Sequence, residues 1–256
     1  MQESQSRDLE GKVAIVTGAS SGLGRQFCKS LANSGASVVA CARRGDRIEE
    51  LAANIRSAGG NAGAFMLDVT DASNIEAAFD FAEANFGTVD ILVNNAGISE
   101  AGYATELSLD AVDRLLSTNL RSVFLTSREA ARRLKSRSMH GRIINIASVG
   151  AYSYTPKSIS ALYVSTKAAI IRMTEALALE WAADGVNVNA IAPGLFRSEM
   201  SEEFISEFGE RATARFPRKR FGEPEYLEST LLYLASDNSH FVTGTCIIVD
   251  DAQVPR

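Results

Sequence analysis

What most constrains this chain is an alternation that runs along nearly its whole length. Short apolar runs are followed, each time, by a longer segment with helical spacing. The runs lie at 12–17, 37–41, 64–67, 91–93, 142–146, 186–191 and 246–249. Several are β-branched and apolar at successive positions, as strands must be when helices cover both faces of a parallel sheet. Between them, segments 24–34, 47–58, 73–86, 109–135, 161–183 and 224–235 repeat apolar residues at i, i+3, i+4 and i+7, as do Leu162, Ala169, Met173 and Leu177. The alternation predicts an α/β fold: a Rossmann-type doubly wound parallel sheet of about seven strands with helices on both faces. No Pro/Gly/Ser-rich linker or change of composition interrupts it, so the 256 residues are expected to form one domain.

Segment 194–222 breaks the alternation. It is rich in Glu, Arg and Phe and follows a strand directly. Because loops at the carboxyl ends of strands form the ligand crevice of an open α/β sheet, this stretch is expected to be a substrate loop or lid.

Charge and composition narrow the function. With 26 basic and 31 acidic side chains the net charge is −5, opposite in sign to what nucleic acid or an anionic lipid surface would select. The local basic cluster Arg128, Arg132, Arg133, Lys135 and Arg137 reads as a solvated helix end that complements the helix dipole. Cys28, Cys41 and Cys246 are widely spaced and form no CxxC pair, as expected of a reduced, cytoplasmic protein. His140 and His240 stand far apart, which leaves little material for a zinc site or a histidine-based triad. Residues 1–9 are polar and no apolar run approaches ~18 residues, so neither a secretory signal nor a membrane span is expected.

The first apolar run leads straight into Thr17-Gly18-Ala19-Ser20-Ser21-Gly22-Leu23-Gly24 and then into a helical segment. Glycines there let the backbone turn sharply and come close to a pyrophosphate at the helix N-terminus. The spacing is neither GxGxxG nor a P-loop, since no Gly-Lys-Ser/Thr follows. A glycine turn alone is also compatible with a mere tight connection. Its place after the first buried strand favours the nucleotide.

The second run ends Cys41-Ala42-Arg43-Arg44, with no carboxylate before Asp46. An acid at this point would bind the ribose 2′-hydroxyl of NAD. Arg43 and Arg44 instead suit a 2′-phosphate, which a guanidinium grips with paired charge-assisted hydrogen bonds. NADP(H) is therefore expected over NAD(H), although solvated strand-end arginines would look the same.

Tyr163 and Lys167 stand at i and i+4 on one helix face. A phenol with a pKa of about 10 is a poor base at neutral pH, and a neighbouring ammonium stabilises the phenolate.

Thr17–Gly24, Asp68-Val69, Asn94-Asn95-Ala96-Gly97, Asn119, Ser148, Tyr163-Val164-Ser165-Thr166-Lys167 and Pro193-Gly194 occur in the order seen in short-chain dehydrogenases/reductases, and the resemblance covers nearly the full chain. It implies that Tyr163 is the general acid/base donating a proton to a carbonyl oxygen, and that Lys167 lowers its pKa and bonds the nicotinamide ribose. Ser148 would polarise the substrate carbonyl, and Asn119 would kink its helix and hold a water relaying protons to Lys167. Positioned donors of this kind stabilise the charge that hydride addition puts on oxygen. The resemblance further implies a cofactor site at Gly18, Ser20, Ser21, Gly22, Leu23, Gly24, Arg43 and Arg44. Asp68 and Val69 would contact the adenine, and Asn95, Ala96 and Gly97 would line the groove. Pro193, Gly194, Phe196 and Ser198 would embrace the nicotinamide. A homotetramer, or a homodimer, built through 109–135 and 161–183 is also expected from the family.

Three departures from the family's pattern stand out. The stretch between Ser148 and Tyr163, carrying Tyr152, Ser153, Tyr154 and Pro156, is longer than usual, which makes Ser153 a secondary candidate for the serine role. Val249-Asp250-Asp251-Ala252 replaces a Val-Asp-Gly-Gly ending, and Ser21 stands where NADP-using relatives often carry a cation.

Three functional classes follow. The first is NADPH-linked reduction of a ketone or 3-oxoacyl group, or the reverse alcohol, sugar or steroid dehydrogenation. The second is a catalytically silent dinucleotide-binding regulator, which need not keep Asn119, Ser148, Tyr163 and Lys167 together. The third is another nucleotide binder such as a flavoprotein, which has no use for the Tyr–Lys pair. Arg215, Arg218, Lys219 and Arg220, in the lid segment, are candidates to attract an acidic or thioester-linked substrate, or else are simply solvated.

Overall fold

The computed structural model describes residues 8–100, 102–153 and 160–254. All seven apolar runs are strands: β1 (Val13–Thr17), β2 (Ser37–Ala42), β3 (Asn61–Met66), β4 (Ile91–Asn94), β5 (Gly141–Ile146), β6 (Val186–Pro193) and β7 (Cys246–Val249). They form one sheet in the order β3-β2-β1-β4-β5-β6-β7, and every pairing is parallel.

The uninterrupted apolarity of β1 has a direct cause. Ala14 and Val16 pack into one core, with Phe27, Leu31, Leu51 and Leu231, whereas Val13 and Ile15 pack into the other, with Phe79, Leu134 and Leu177. Successive side chains point to opposite faces, so a strand covered twice has no polar side.

The helices follow from these two layers. On the first face lie α1 (Gly22–Asn33), α2 (Gly45–Ser57) and, late in the chain, α8 (Glu228–Ala235); α3 (Ala72–Asn85), α5 (Ser122–Ser136) and α6 (Ala161–Trp181) cover the second. Segment 109–135, expected as one helix, is α4 (Leu109–Leu116) and α5 joined by a π-helical turn, Ser117–Arg121. The lid segment holds a helix that its charged composition conceals, α7 (Glu202–Thr213). Its two ends are tied together: Phe196 bridges Gly222, Arg197 N donates to Gly222 O at 2.8 Å, and Gly222 N donates to Leu195 O at 3.0 Å.

Two features hold the catalytic half rigid. Buried Asn94, at the end of β4, donates to Ser127 Oγ and to Asn145 Oδ1, both at 2.9 Å, and accepts from Thr126 Oγ1 at 2.6 Å. Asn145 in β5 donates onward to Thr174 Oγ1 at 2.9 Å. This satisfied polar ladder fastens α5 and α6 to the sheet. The basic cluster of α5 is an ion-pair network: Arg133 contacts Glu129, Glu83 and Asp80 at 2.6, 2.9 and 2.7 Å, and Arg137 contacts Glu83 at 2.6 Å. Burial acts to raise the Glu129 carboxyl, but Arg132 and Arg133 hold it below its ordinary value.

Near the C-terminus, Asp251 and Ala252 adopt φ of 52° and 61°, the left-handed backbone that glycine accepts without strain. Asp251 is held there by Arg220 at 2.7 Å and Arg218 at 3.3 Å.

Candidate active site

The sheet order reverses direction between β1 and β4, and a crevice of about 1160 Å³ opens at the carboxyl ends of the strands there. Gly18, Ser20, Ser21, Gly22, Leu23, Arg43, Asp68 and Asn95 line one end, Ser148, Tyr163 and Lys167 line the other, and the lid borders the crevice from the glycine turn onward.

The glycine turn is built from its neighbours. Asn95 Nδ2 donates to Thr17 O at 2.9 Å and to Gly18 O at 3.2 Å, while Thr17 Oγ1 accepts from the Asn95 and Ala96 amides at 3.1 and 3.0 Å. Gly18 has φ +68°, and a Cβ there would lie 2.8 Å from Ala96 Cα; one on Gly24 would lie 2.4 Å from both Asn95 Nδ2 and Gly18 O. Asn95 therefore acts as a strut beneath the turn. Ser21, the N-cap of α1, makes no capping bond, and the first turn of α1 carries no acid. Its amides thus meet the crevice as an anion-binding end.

The two arginines behave differently. Arg44 is already engaged: Nη2 donates to Ser20 Oγ and Ser21 Oγ, both at 2.9 Å, and its guanidinium meets the Glu199 carboxylate at 2.9 and 2.7 Å. Arg47 adds a contact to Glu199 at 3.0 Å. Hydrogen bonds from Arg44, Ser21 and Arg47 hold the Glu199 carboxyl well below its ordinary value. Arg43 is exposed at the crevice mouth and forms no ion pair among the described residues, though its charge helps to hold the Asp68 carboxyl down. Sequence reasoning misses Glu199, because its partnership spans 155 positions. Asp68 borders the crevice but also caps its own loop: Oδ1 accepts from Thr70 N at 2.9 Å and Thr70 Oγ1 at 2.7 Å, bonds that lower its pKa. Val69, Ala96 and Gly97 line the groove beside it.

At the other end, Ser148 closes β5, accepts from Gly150 N at 3.1 Å and bonds the Tyr163 hydroxyl. Tyr163 and Lys167 project from the first turns of α6, with Lys167 Nζ 5.8 Å from the Tyr163 ring centre. Burial pushes the phenol above its ordinary value, and the Ser148 bond acts the other way. Lys167 is buried, donates to Ile146 O at 2.8 Å, and is pushed down to about 8 by burial. Burial outweighs any pull of the ammonium on the phenol, so at neutral pH the phenol keeps its proton and can donate it.

Fully buried Asn119 sits in the π-helical turn, where its side chain accepts from Ile98 N and donates to Ile98 O, both at 2.9 Å. A Cβ on Gly97 would touch both Asn119 Oδ1 and Lys167 Nζ, at 3.4 and 3.7 Å, so the two groups flank one point.

At the end of β6 and beyond it, Pro193, Gly194, Phe196 and Ser198 border the crevice; Ser198 lies against the glycine turn, 3.0 Å from where a Gly22 Cβ would stand, and caps the turn into α7 by accepting from Ser201 N at 3.3 Å. Ser153 does not line the crevice, and Tyr152 bonds Cys246 on β7 instead; Tyr154 and Pro156 lie outside the described residues. The lid cations do not line it either. Arg218 and Arg220 pair with Asp251, Lys219 donates to Ala214 O, and Arg220 stacks on Tyr226.

A family model for short chain dehydrogenases matches residues 12–207, more than half of the sequence. This chain is a member of the short-chain dehydrogenase family. As such, it is an oxidoreductase acting on CH–OH/C=O groups. The short-chain dehydrogenase described here is 39% identical over 246 residues to 3beta-hydroxysteroid dehydrogenase 1 of Eggerthella lenta, covering 95% of this chain and 94% of the relative. It is 34% identical to a 3-oxoacyl-(acyl-carrier-protein) reductase of Thermotoga maritima, with 96% and 99% covered. Among solved structures it superposes with a TM-score of 0.91 on a gluconate 5-dehydrogenase from Burkholderia cenocepacia in complex with NADP and tartrate, at 33% identity and 97% coverage of both chains.

The residues present fit an NAD(P) dinucleotide. The open amides of α1 and the glycine turn would hold its pyrophosphate, Arg43 its adenosine end, and Lys167 its nicotinamide end.

Proposed function

We propose that this enzyme reduces a carbonyl compound, a ketone or 3-oxoacyl group, to the alcohol, with NADP(H) favoured and NAD(H) possible. The observation that carries this reading is the meeting of Ser148, Tyr163 and Lys167 at one end of a crevice whose other end is a glycine turn with open amides.

The hydride for the carbonyl carbon would come from NADPH when it is bound. Ser148 Oγ holds and polarises the carbonyl oxygen, and Tyr163, kept protonated by burial, gives its proton to that oxygen as charge develops. Lys167 Nζ, fixed by Ile146 O, stands behind the ring and steadies the phenolate that forms. Asn119 keeps Ile98 in place and offers a remaining lone pair to a water on the way to Lys167. The NADP preference rests on Arg43, the exposed guanidinium at the mouth that no described carboxylate holds in an ion pair. The Burkholderia relative, crystallised with NADP, supports it.

Tyr163→Phe is expected to abolish turnover while leaving NADPH binding intact; unchanged turnover removes the assignment. Arg43→Ala is expected to weaken NADPH by roughly ten- to a hundredfold and NADH far less, the loss of a charge-assisted phosphate contact. Equal losses for both would defeat the 2′-phosphate argument. A catalytically silent dinucleotide-binding regulator is the second reading: NADPH bound but never oxidised across a broad carbonyl panel would favour it. Within the class, an alcohol, sugar or steroid dehydrogenase working in the opposite direction uses the same residues. We place the enzyme in the cytoplasm, as a homotetramer or homodimer; no helix among the described residues is long and apolar enough to cross a membrane.

A further inference from the structure

The crevice has two chemically unlike halves. Among its described lining residues the only lysines and arginines are Arg43, Arg44 and Lys167. Arg43 and Arg44 stand at the glycine-turn end, and buried Lys167 is spent on a backbone carbonyl. The remaining wall comes from the segment after β6. There Met200, Phe204 and Phe208 line the crevice although they remain 51%, 45% and 38% exposed, with the two rings 5.5 Å apart. Glu203 and Glu207 stand on the same wall, one helical turn apart on α7. The lid thus offers substrate an apolar face edged with carboxylates and no counter-cation.

This surface discriminates. Aromatic rings and a thioether left partly open within a crevice gain by covering an apolar body. A carboxylate or phosphate entering the same space loses hydration, finds no cation and meets two like charges. Resting on the carbonyl-reductase reading above, we infer that the substrate is a bulky, uncharged, predominantly apolar ketone or secondary alcohol, and that Glu203 and Glu207 turn anions away. The reaction balances as ketone, NADPH and one proton giving secondary alcohol and NADP+.

The test compares two substrates that share one carbonyl and one phenyl ring and differ by a charge: ethyl 4-oxo-4-phenylbutanoate and 4-oxo-4-phenylbutanoate. Both are assayed with the full chain at saturating NADPH, beside a panel that includes oxidised sugar acids. The ester is expected to have a kcat/KM about tenfold or more above the carboxylate, a discrimination set by two like charges in a partly desolvated site. In the double variant Glu203→Gln/Glu207→Gln that ratio should fall toward one, and Phe204→Ala/Phe208→Ala should raise KM for the ester with little change in kcat. Circular dichroism checks that α7 persists in each. A carboxylate used as well as the ester, or turnover confined to sugar acids, overturns the inference and leaves the reductase reading standing. An undiminished ratio in the Gln variant overturns the role of the two carboxylates. Turnover of nothing in the panel removes the reductase reading, and the inference with it.

Discussion

Lys167 is the residue at which burial and chemistry meet most directly. Desolvation brings its ammonium down to about 8, while the neighbouring phenol is pushed up. In the reductive direction both protons must be in place. The lysine carries its charge below about 8 and loses it above, so kcat/KM for carbonyl reduction should be flat near neutrality and fall as pH rises through about 8. A pH profile measured with a saturating cofactor reads this directly. A rate still rising at pH 9 would mean that the lysine charge is not needed. At this scale much of the site is legible in sequence, because Tyr163 and Lys167 are fixed by helical spacing and the glycine turn by its place after β1. Arg44 is not: nothing near it announces Glu199, which arrives from the far end of the chain and takes up a guanidinium that the local pattern assigns to a phosphate.

The elements explain how those side chains are held. Tyr163 and Asn119 sit on helices whose attachment to the sheet runs through Asn94 and Asn145, two amides inside otherwise apolar strands. Asn145→Ala leaves Asn94 and Thr174 short of partners in a dry interior, and is expected to destabilise the protein by about 2 kcal/mol. Chemical denaturation measures that loss, and an unchanged midpoint would deny the ladder its role. The strands were readable because burial on two faces removes polar residues from them, and most helices because a single face is buried. Helix α7 escapes such a reading: only Gly209 in it is buried, so its composition is that of a loop. The π-helical turn is not evident in the apolar spacing between α4 and α5; only the family resemblance, through the kink it implies at Asn119, points to it.

At the scale of the whole molecule, apolar side chains stand exposed on three helices. Leu109 on α4, Phe124 on α5 and Leu179 on α6 are 81%, 43% and 83% exposed, on the helices through which the family resemblance implies assembly. Light scattering is expected to give a mass that is a multiple of the 27.4 kDa chain, and a monomer at micromolar concentration would count against the tetramer. Strand β7 bears on the same point. Among the described residues its Cys246-Ile247-Ile248-Val249 sequence pairs only with β6, and all four residues stay half-buried. An oily sheet margin of this kind invites either a tidy partner or clumping. If a second copy shelters it, heat resistance becomes a property of the population: diluting the sample should lower its melting temperature, whereas a self-sufficient subunit would melt at one temperature throughout.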